Sequence, residues 1–437
     1  MYKLSASYEN NLSGKTSRID SIDILRGLVM VLMALDHCRD YFHIYAFVYS
    51  PEDLNYTTPI VFFTRWLSHF CAPVFVFLTG ISAYLYKLKN NVSDKELANY
   101  LLVRGLILIL LELTVVRFVW RFEIDNSSVG GLILWGIGWS MIALAGLIYM
   151  PRKTILGISL LIIFGHNFLD GINFEGNKIA ELFWAFLHKS TFISLTDEIG
   201  VHILYPVLPM IGLIGFGYYI GKWFTKEYSS EIRSGYLFYM GIGILSIFVS
   251  LRFLQLFTEQ YSYVFYLKVE DLDHKWTVFF KSLIGYLIES YGDSSPWQLQ
   301  ENLTYSLIAF FNTTKYPMSL LYILMTLGPA FIFLSYMENK NTFFTRIMKV
   351  YGSVPLFYYI VHLILIHLLA ILLAVTTHLG QTKEIFKTDW KKLSELYGYN
   401  LPVVYLIWLV VLIILYPICL RYGRFKSEGK YKVLSFL

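Results

Sequence analysis

The chain has 437 residues, of which 56% are hydrophobic, 18% aromatic and 15% charged, with a net charge of +5 and a mean hydropathy of +0.54. Soluble domains carry roughly 25% charged residues, so this deficit, with repeated apolar runs of about 20 residues, marks a multi-span membrane protein and excludes a soluble one. The positive excess reads as basic cytoplasmic loops, not as a nucleic-acid patch.

The predicted fold is an all-α polytopic transmembrane bundle of about ten spanning helices, forming a single membrane-embedded domain over 1–437. The polar tail 1–17 lacks the apolar core and cleavage site of a signal peptide, so the first spanning helix is expected to insert the chain. The helix cores are read at 24–41, 71–86, 101–119, 132–149, 155–166, 203–223, 237–256, 318–336, 354–375 and 402–420. Residues 179–195 and 276–291 are amphipathic and are placed at an interface. Residues 258–314 form a long outer segment. Cys38, Cys71 and Cys419 form no metal-type or redox-type pair in sequence. Cys38 and Cys71 fall near the outer ends of two helices, but buried apolar thiols are the favoured reading.

Loop charge sets the expected orientation. Lys87, Lys89, Lys95 and Arg104 follow the second helix, Arg152 and Lys153 the fourth, and Lys222 and Lys226 the sixth. Lys340, Arg346 and Lys349 follow the eighth, and Arg421, Arg424, Lys426, Lys430 and Lys432 end the chain. The first outer loop carries Glu52 and Asp53 instead. Both termini are therefore expected on the cytoplasmic side, with Lys383, Lys387, Lys391 and Lys392 of the last outer loop a mild exception.

Charged and titratable groups inside such helices are costly and are functional candidates by default. The first helix holds Arg26 and His37 with ten residues between them, a separation of about 16 Å along the axis. Asp36, Arg39 and Asp40 surround His37. Either aspartate can orient the imidazole as a base–orienter pair, or Arg39 can neutralise them in a structural ion pair. His362 lies equally deep in the ninth core. His43, His69, His166, His202 and His367 also fall in the outer half. Arg26-Gly27 is echoed by Arg104-Gly105 at the start of the third helix. Both arginines are candidates for phosphate groups at the cytoplasmic face, or else snorkelling anchors. Glu112 is expected in a buried pair with Arg117 or a helix-packing hydrogen bond. Trp135 and Trp139 are read as packing or interfacial residues ahead of a substrate platform.

The blocks Arg18-Ile-Asp20-Ser-Ile-Asp23-Ile-Leu-Arg26-Gly27…Met33-Ala-Leu-Asp36-His37 and Thr64-Arg65-Trp66…His69-Phe-Cys-Ala-Pro73 resemble the heparan-alpha-glucosaminide N-acetyltransferase catalytic-domain family. So do Leu111-Glu112…Arg117, Trp135-Gly-Ile-Gly-Trp139, Lys315-Tyr-Pro317…Pro329 and Gly352-Ser-Val-Pro355…His362, in order from about residue 17 to 421. The Arg26-to-His37 spacing is similar to the hallmark of the polysaccharide O-acyltransferase branch of the wider group of transmembrane acyltransferases. The lysosomal member looks to have asparagine at the position of His37, with its catalytic histidine further along, a role open here to His43 or His69.

The resemblance implies acyl transfer from cytoplasmic acetyl-CoA or another acyl-CoA to an extracytoplasmic sugar amine or hydroxyl. No metal is expected. His37, with Asp36, Asp40 and His69, is the catalytic set; Arg26 and Arg104 hold the donor. Arg65, Lys315, His362 and Trp139 are assigned to substrate. The partners are the lipid bilayer and a carbohydrate acceptor, with homo-oligomerisation left open and no nucleic acid. The location is the plasma (inner) membrane if the source is bacterial, with the active site opening outward. The competing class is a proton-coupled transporter or flippase, which forms no covalent product.

Overall fold

The computed structural model describes residues 19–122, 128–174, 176–196, 199–269, 297–377 and 398–428, with side chains in the fourth stretch described to Leu256. Residues 1–17, 276–291 and the lysines at 383–392, 430 and 432 lie outside the described residues.

The protein is mostly helical, and a helix stands at each expected core. The first, α1 (Asp20–Phe42), is followed by α2 (Pro59–His69), α3 (Cys71–Asn90) and α4 (Asp94–Leu111). A π-helical turn (Glu112–Val116) leads from α4 into α5 (Arg117–Arg121). Then come α6 (Ile133–Leu147), α7 (Arg152–Gly165), α8 (Lys178–Leu187) and α9 (Val207–Ile220). The C-terminal half holds α10 (Ser230–Val269), α11 (Leu303–Phe311), α12 (Leu320–Met337), α13 (Phe343–Gly352), α14 (Pro355–Thr377) and α15 (Leu401–Ser427).

Among the described residues, six stretches are long and apolar enough to cross a membrane: Pro59–Asn90, Val207–Phe224, Ser230–Leu256, Leu320–Met337, Pro355–Thr377 and Leu401–Ser427. This is an integral membrane protein. α1 is left out of that set by its charge, not its length, because Asp23, Arg26, Asp36, Arg39 and Asp40 interrupt its apolar run. It is instead the hub of the molecule. Apolar side chains from Ile22 to Phe42 are buried on nearly every face, and α2, α3 and α12–α15 all pack on it. The flanking helices α10, α14 and α15 bury few of their residues inside the protein. They turn Tyr239, Leu372 and Ile413 outward, as a lipid-facing ring requires.

Two departures from the expected elements have local causes. The amphipathic helix expected over 179–195 ends at Leu187, and Thr191–Ser194 (β2) pairs antiparallel with Gly200–Ile203 (β3). Ser128–Gly131 (β1) joins β3 in parallel, giving a three-stranded sheet in the order β1-β3-β2 within an otherwise helical protein. Strands this short carry little periodic signal, and their pairing joins segments about 70 residues apart. The outer segment expected from 258 begins as helix, because α10 runs on to Val269 with no glycine or proline to stop it.

Helix crossings are set by glycine. A Cβ at Gly27 would lie 1.9 Å from the Met348 carbonyl oxygen, and one at Gly352 1.9 Å from that of Asp23. α1 and α13 therefore touch backbone to backbone. Bonds at the far end of α1 fix its register on α15: Tyr399 N donates to Phe42 O at 2.8 Å and Ile44 N to Tyr399 O at 3.0 Å. The two helices run antiparallel, so Asp20 and Ser427 fall at the same end.

Candidate active site

A cavity of about 1040 Å³ opens at the end of the bundle where α1 finishes. Its wall comes from Met33, Asp36, His37 and Asp40 of α1, the loop from Phe47 to Asp53, Arg65 of α2, and Cys71 of α3. Glu112, Arg117 and Trp120 close one side, His202 and Tyr205 another, and Asn312 to Tyr316, before α12, a third.

His37 lies where this cavity meets the helix packing. Its Nδ1 is 2.7 Å from Nε2 of His362 on α14, with the two rings nearly parallel at 16°. His362 is fully buried and is not in the cavity wall, so it stands behind His37 and does not face the space assigned to substrate. Its Nδ1 lies 2.9 Å from the carbonyl oxygen of Tyr358, one turn back on the same helix. Trp120 meets the His37 ring edge-on at 4.8 Å. Tyr41 stacks on that indole and donates to the Trp120 carbonyl at 2.8 Å.

The aspartates do not hold the imidazole. Arg39 donates to Asp40 at 2.5 Å and to Asp36 at 3.3 Å, while Arg65 pairs with Asp36 and, through Nε, with Glu52 at 2.9 Å. The ion-pair alternative for Asp36 and Asp40 is the arrangement present. In the loop, burial pushes the Glu52 carboxyl up, but the Arg65 guanidinium overrides this and holds it well below the usual carboxylate range. His69 stands behind Arg65, with Nδ1 3.1 Å from the Arg65 carbonyl and Nε2 3.7 Å from Glu52, and is not in the cavity wall. His43 caps α1 and is also outside the wall. Lys315 is in the wall, 8% exposed, with its ammonium 5.3 Å from the Tyr316 ring centroid.

Arg26 and Arg104 lie away from this cavity, around the far end of α3. Arg26 donates to Ser82 and Asp23, each at 2.9 Å. Arg104 donates to the Tyr100 hydroxyl at 2.6 Å, and Tyr100 stacks on Tyr86, one turn beyond Ser82. The glycine in each Arg-Gly echo is a packing contact: Gly105 crosses Gly138 of α6 as Gly27 crosses α13. Trp139 packs against Trp135 and Phe186, outside the cavity wall. All three cysteines are buried free thiols.

Several wall residues lie outside the set assigned to the site from sequence, among them Glu112 and Trp120. Glu112 accepts the Leu134 N–H at 2.8 Å, which caps the start of α6 and is the helix-packing bond expected of it. It sits on the π-helical turn, a distortion that recurs at functional sites. Trp120 follows two turns later, in an aromatic run with Phe118 and Phe122 that carries no motif to mark it in the sequence. Among the described residues, no group of three or more His, Cys, Asp or Glu side chains is arranged to hold a metal.

The family profile described as heparan-alpha-glucosaminide N-acetyltransferase, catalytic, matches residues 18–257. That span contains Arg26, His37, Arg65, His69 and Glu112, and stops short of Lys315 and His362. No curated protein matches the chain.

Proposed function

The chain belongs to the heparan-alpha-glucosaminide N-acetyltransferase catalytic family, and from that premise we propose that it transfers an acetyl or other acyl group from acyl-CoA on the cytoplasmic face to a sugar amine or hydroxyl on the opposite face. The observation that carries this reading is an imidazole, His37, at the wall of a large cavity that also holds the Asp36, Arg39 and Arg65 charges, on a helix within the matched span.

In this reading Arg26 and Arg104 bind donor phosphates at the far end of α3. From Arg26 to His37 is about 16 Å along α1, a span that the extended pantetheine arm of coenzyme A covers. His37 removes the proton from the acceptor oxygen or nitrogen as that atom bonds to the acyl carbon. It returns the proton to the thiolate sulfur as the carbon–sulfur bond breaks. Lys315 and the Arg39–Arg65 network orient the acceptor and offset the charge on the tetrahedral oxygen. The bilayer and a carbohydrate acceptor are the partners this scheme needs.

The test is thiol release from acetyl-CoA and longer acyl donors by purified protein, with and without sugar acceptors, for the wild type and His37→Ala. Loss of roughly 10²-fold or more in the variant, at unchanged abundance, is the expected result. Equal turnover by the variant removes His37 from the mechanism. A wild type that releases no thiol from any donor, with or without acceptor, moves the protein to the transporter class.

A further inference from the structure

The geometry points to His362 as a positioning residue that fixes His37 in its Nδ1–H tautomer, leaving Nε2 of His37 as the atom that reacts. This deepens the acyltransfer reading and rests on it for the word "reacts". The tautomer itself stands on hydrogen-bond chemistry alone.

The Tyr358 carbonyl can only accept, so the His362 nitrogen 2.9 Å away must carry a proton. In a neutral ring the other nitrogen is then bare. His362 Nε2 therefore accepts, and the group 2.7 Å from it, Nδ1 of His37, must donate. A neutral His37 with its proton on Nδ1 has a lone pair on Nε2. Among the described residues His37 makes no other hydrogen bond, and its ring is part of the cavity wall. The bare nitrogen is thus free to meet an acceptor proton.

The opposite polarity requires a doubly protonated His362. That ring is fully buried among Tyr358, Tyr359 and α1 and has no ion pair among the described residues. A cation there would be desolvated without compensation. The carboxylates that might have done the orienting, Asp36 and Asp40, are engaged by Arg39 and Arg65. The orienter is therefore a second imidazole anchored on a helix carbonyl, in place of the carboxylate of the usual base–orienter pair. It sets the ring without adding negative charge beside it.

Ring-nitrogen NMR of ¹⁵N-histidine-labelled protein in detergent reads the tautomer directly, with His37 assigned by its loss in His37→Gln. We expect a protonated, pyrrole-type Nδ1 and a bare, pyridine-type Nε2. His362→Gln supplies an amide oxygen that accepts from His37 Nδ1, so it keeps this pattern and most of the thiol-release rate. His362→Ala loses the pattern, and kcat falls roughly 10²-fold or more with KM little changed. Protonation at Nε2 in the wild type overturns the proposal, as does a Gln variant that behaves like the Ala variant. If the Ala variant fails to fold, the wild-type and Gln spectra still decide. A wild type with the expected tautomer and no thiol release leaves the His362 assignment standing and overturns only the acyltransfer reading.

Discussion

Arg65 joins two parts of the site that are distant in sequence. Its guanidinium spans Asp36 on the central helix and Glu52 on the outer loop, and so ties the loop that forms the cavity rim to α1. Two carboxylates share it because the rigid planar guanidinium carries five N–H donors, with Nε directed at Glu52 and a terminal nitrogen at Asp36, whereas an ammonium is a compact point charge with three. Arg65→Leu is expected to lower stability by about 3–5 kcal/mol, the usual cost of stripping one partner from a buried charge cluster. A lower thermal denaturation midpoint in detergent, larger than that of Glu52→Gln, checks this. Glu52 is 25% exposed at its side chain, so water compensates part of its loss, whereas Asp36 has less access to water. The sequence made Asp36, Arg39 and Asp40 visible as a group, but Arg65 is 29 positions from Asp36 and its role depends on how α2 lies over α1.

The helices owe their contacts to places where side chains are missing. A Cβ at Gly217 would stand 2.1 Å from the Phe77 carbonyl oxygen, and one at Gly80 2.0 Å from that of Ile214, so α3 and α9 meet at backbone distance. Gly157 on α7 has nothing within 4 Å of its notional Cβ. Gly217→Val is therefore expected to cost about 1–3 kcal/mol or more through forced separation of two helices. Gly157→Ala should be neutral within experimental error. Denaturation of the two variants side by side separates crowding from any general effect of losing glycine; equal losses would contradict the packing account. Glu112 belongs with these contacts as well as with the site. Its carboxylate closes the start of α6 while its backbone lies on the π-helical turn, so α4, α5 and α6 are joined at the cavity wall.

Two ends of different chemistry face apart across the bundle. The cavity with His37, Lys315 and the Arg65 network lies at one, and Arg26, Arg104, Lys87 and Lys89 at the other. The basic loops are the ground on which we propose that the second end is cytoplasmic. Cys38 and Cys419 are fully buried, and Cys71, which lines the cavity, is replaced by serine to give a quiet background. Tyr45→Cys, on the exposed rim loop, should react with an impermeant maleimide in intact cells. Lys89→Cys should react only after the membrane is broken. The reverse pattern would invert the orientation and, with it, the sides assigned to donor and acceptor.

The membrane class, the helix positions and the importance of α1 follow from the chain alone, because apolar runs of bilayer length and the cost of interrupting them are local properties. The family blocks, likewise, are contiguous strings such as Asp23-Ile-Leu-Arg26 and Thr64-Arg65-Trp66; the family match over 18–257 covers those up to Trp139 and ends before the blocks that begin at Lys315 and Gly352. Other features needed the fold. His37 and His362 are 325 positions apart, and their hydrogen bond is set by the rotation of α14 against α1. Asp40 pairs with its neighbour Arg39, while the pairing of Asp36 with Arg65 in place of the imidazole is decided by where α2 places Arg65. The sheet joins three short segments that have no strand signature until they lie side by side. Local patterning fixes what each segment is; which side chains meet across segments is fixed only by packing, and the chemistry of this site depends on those meetings.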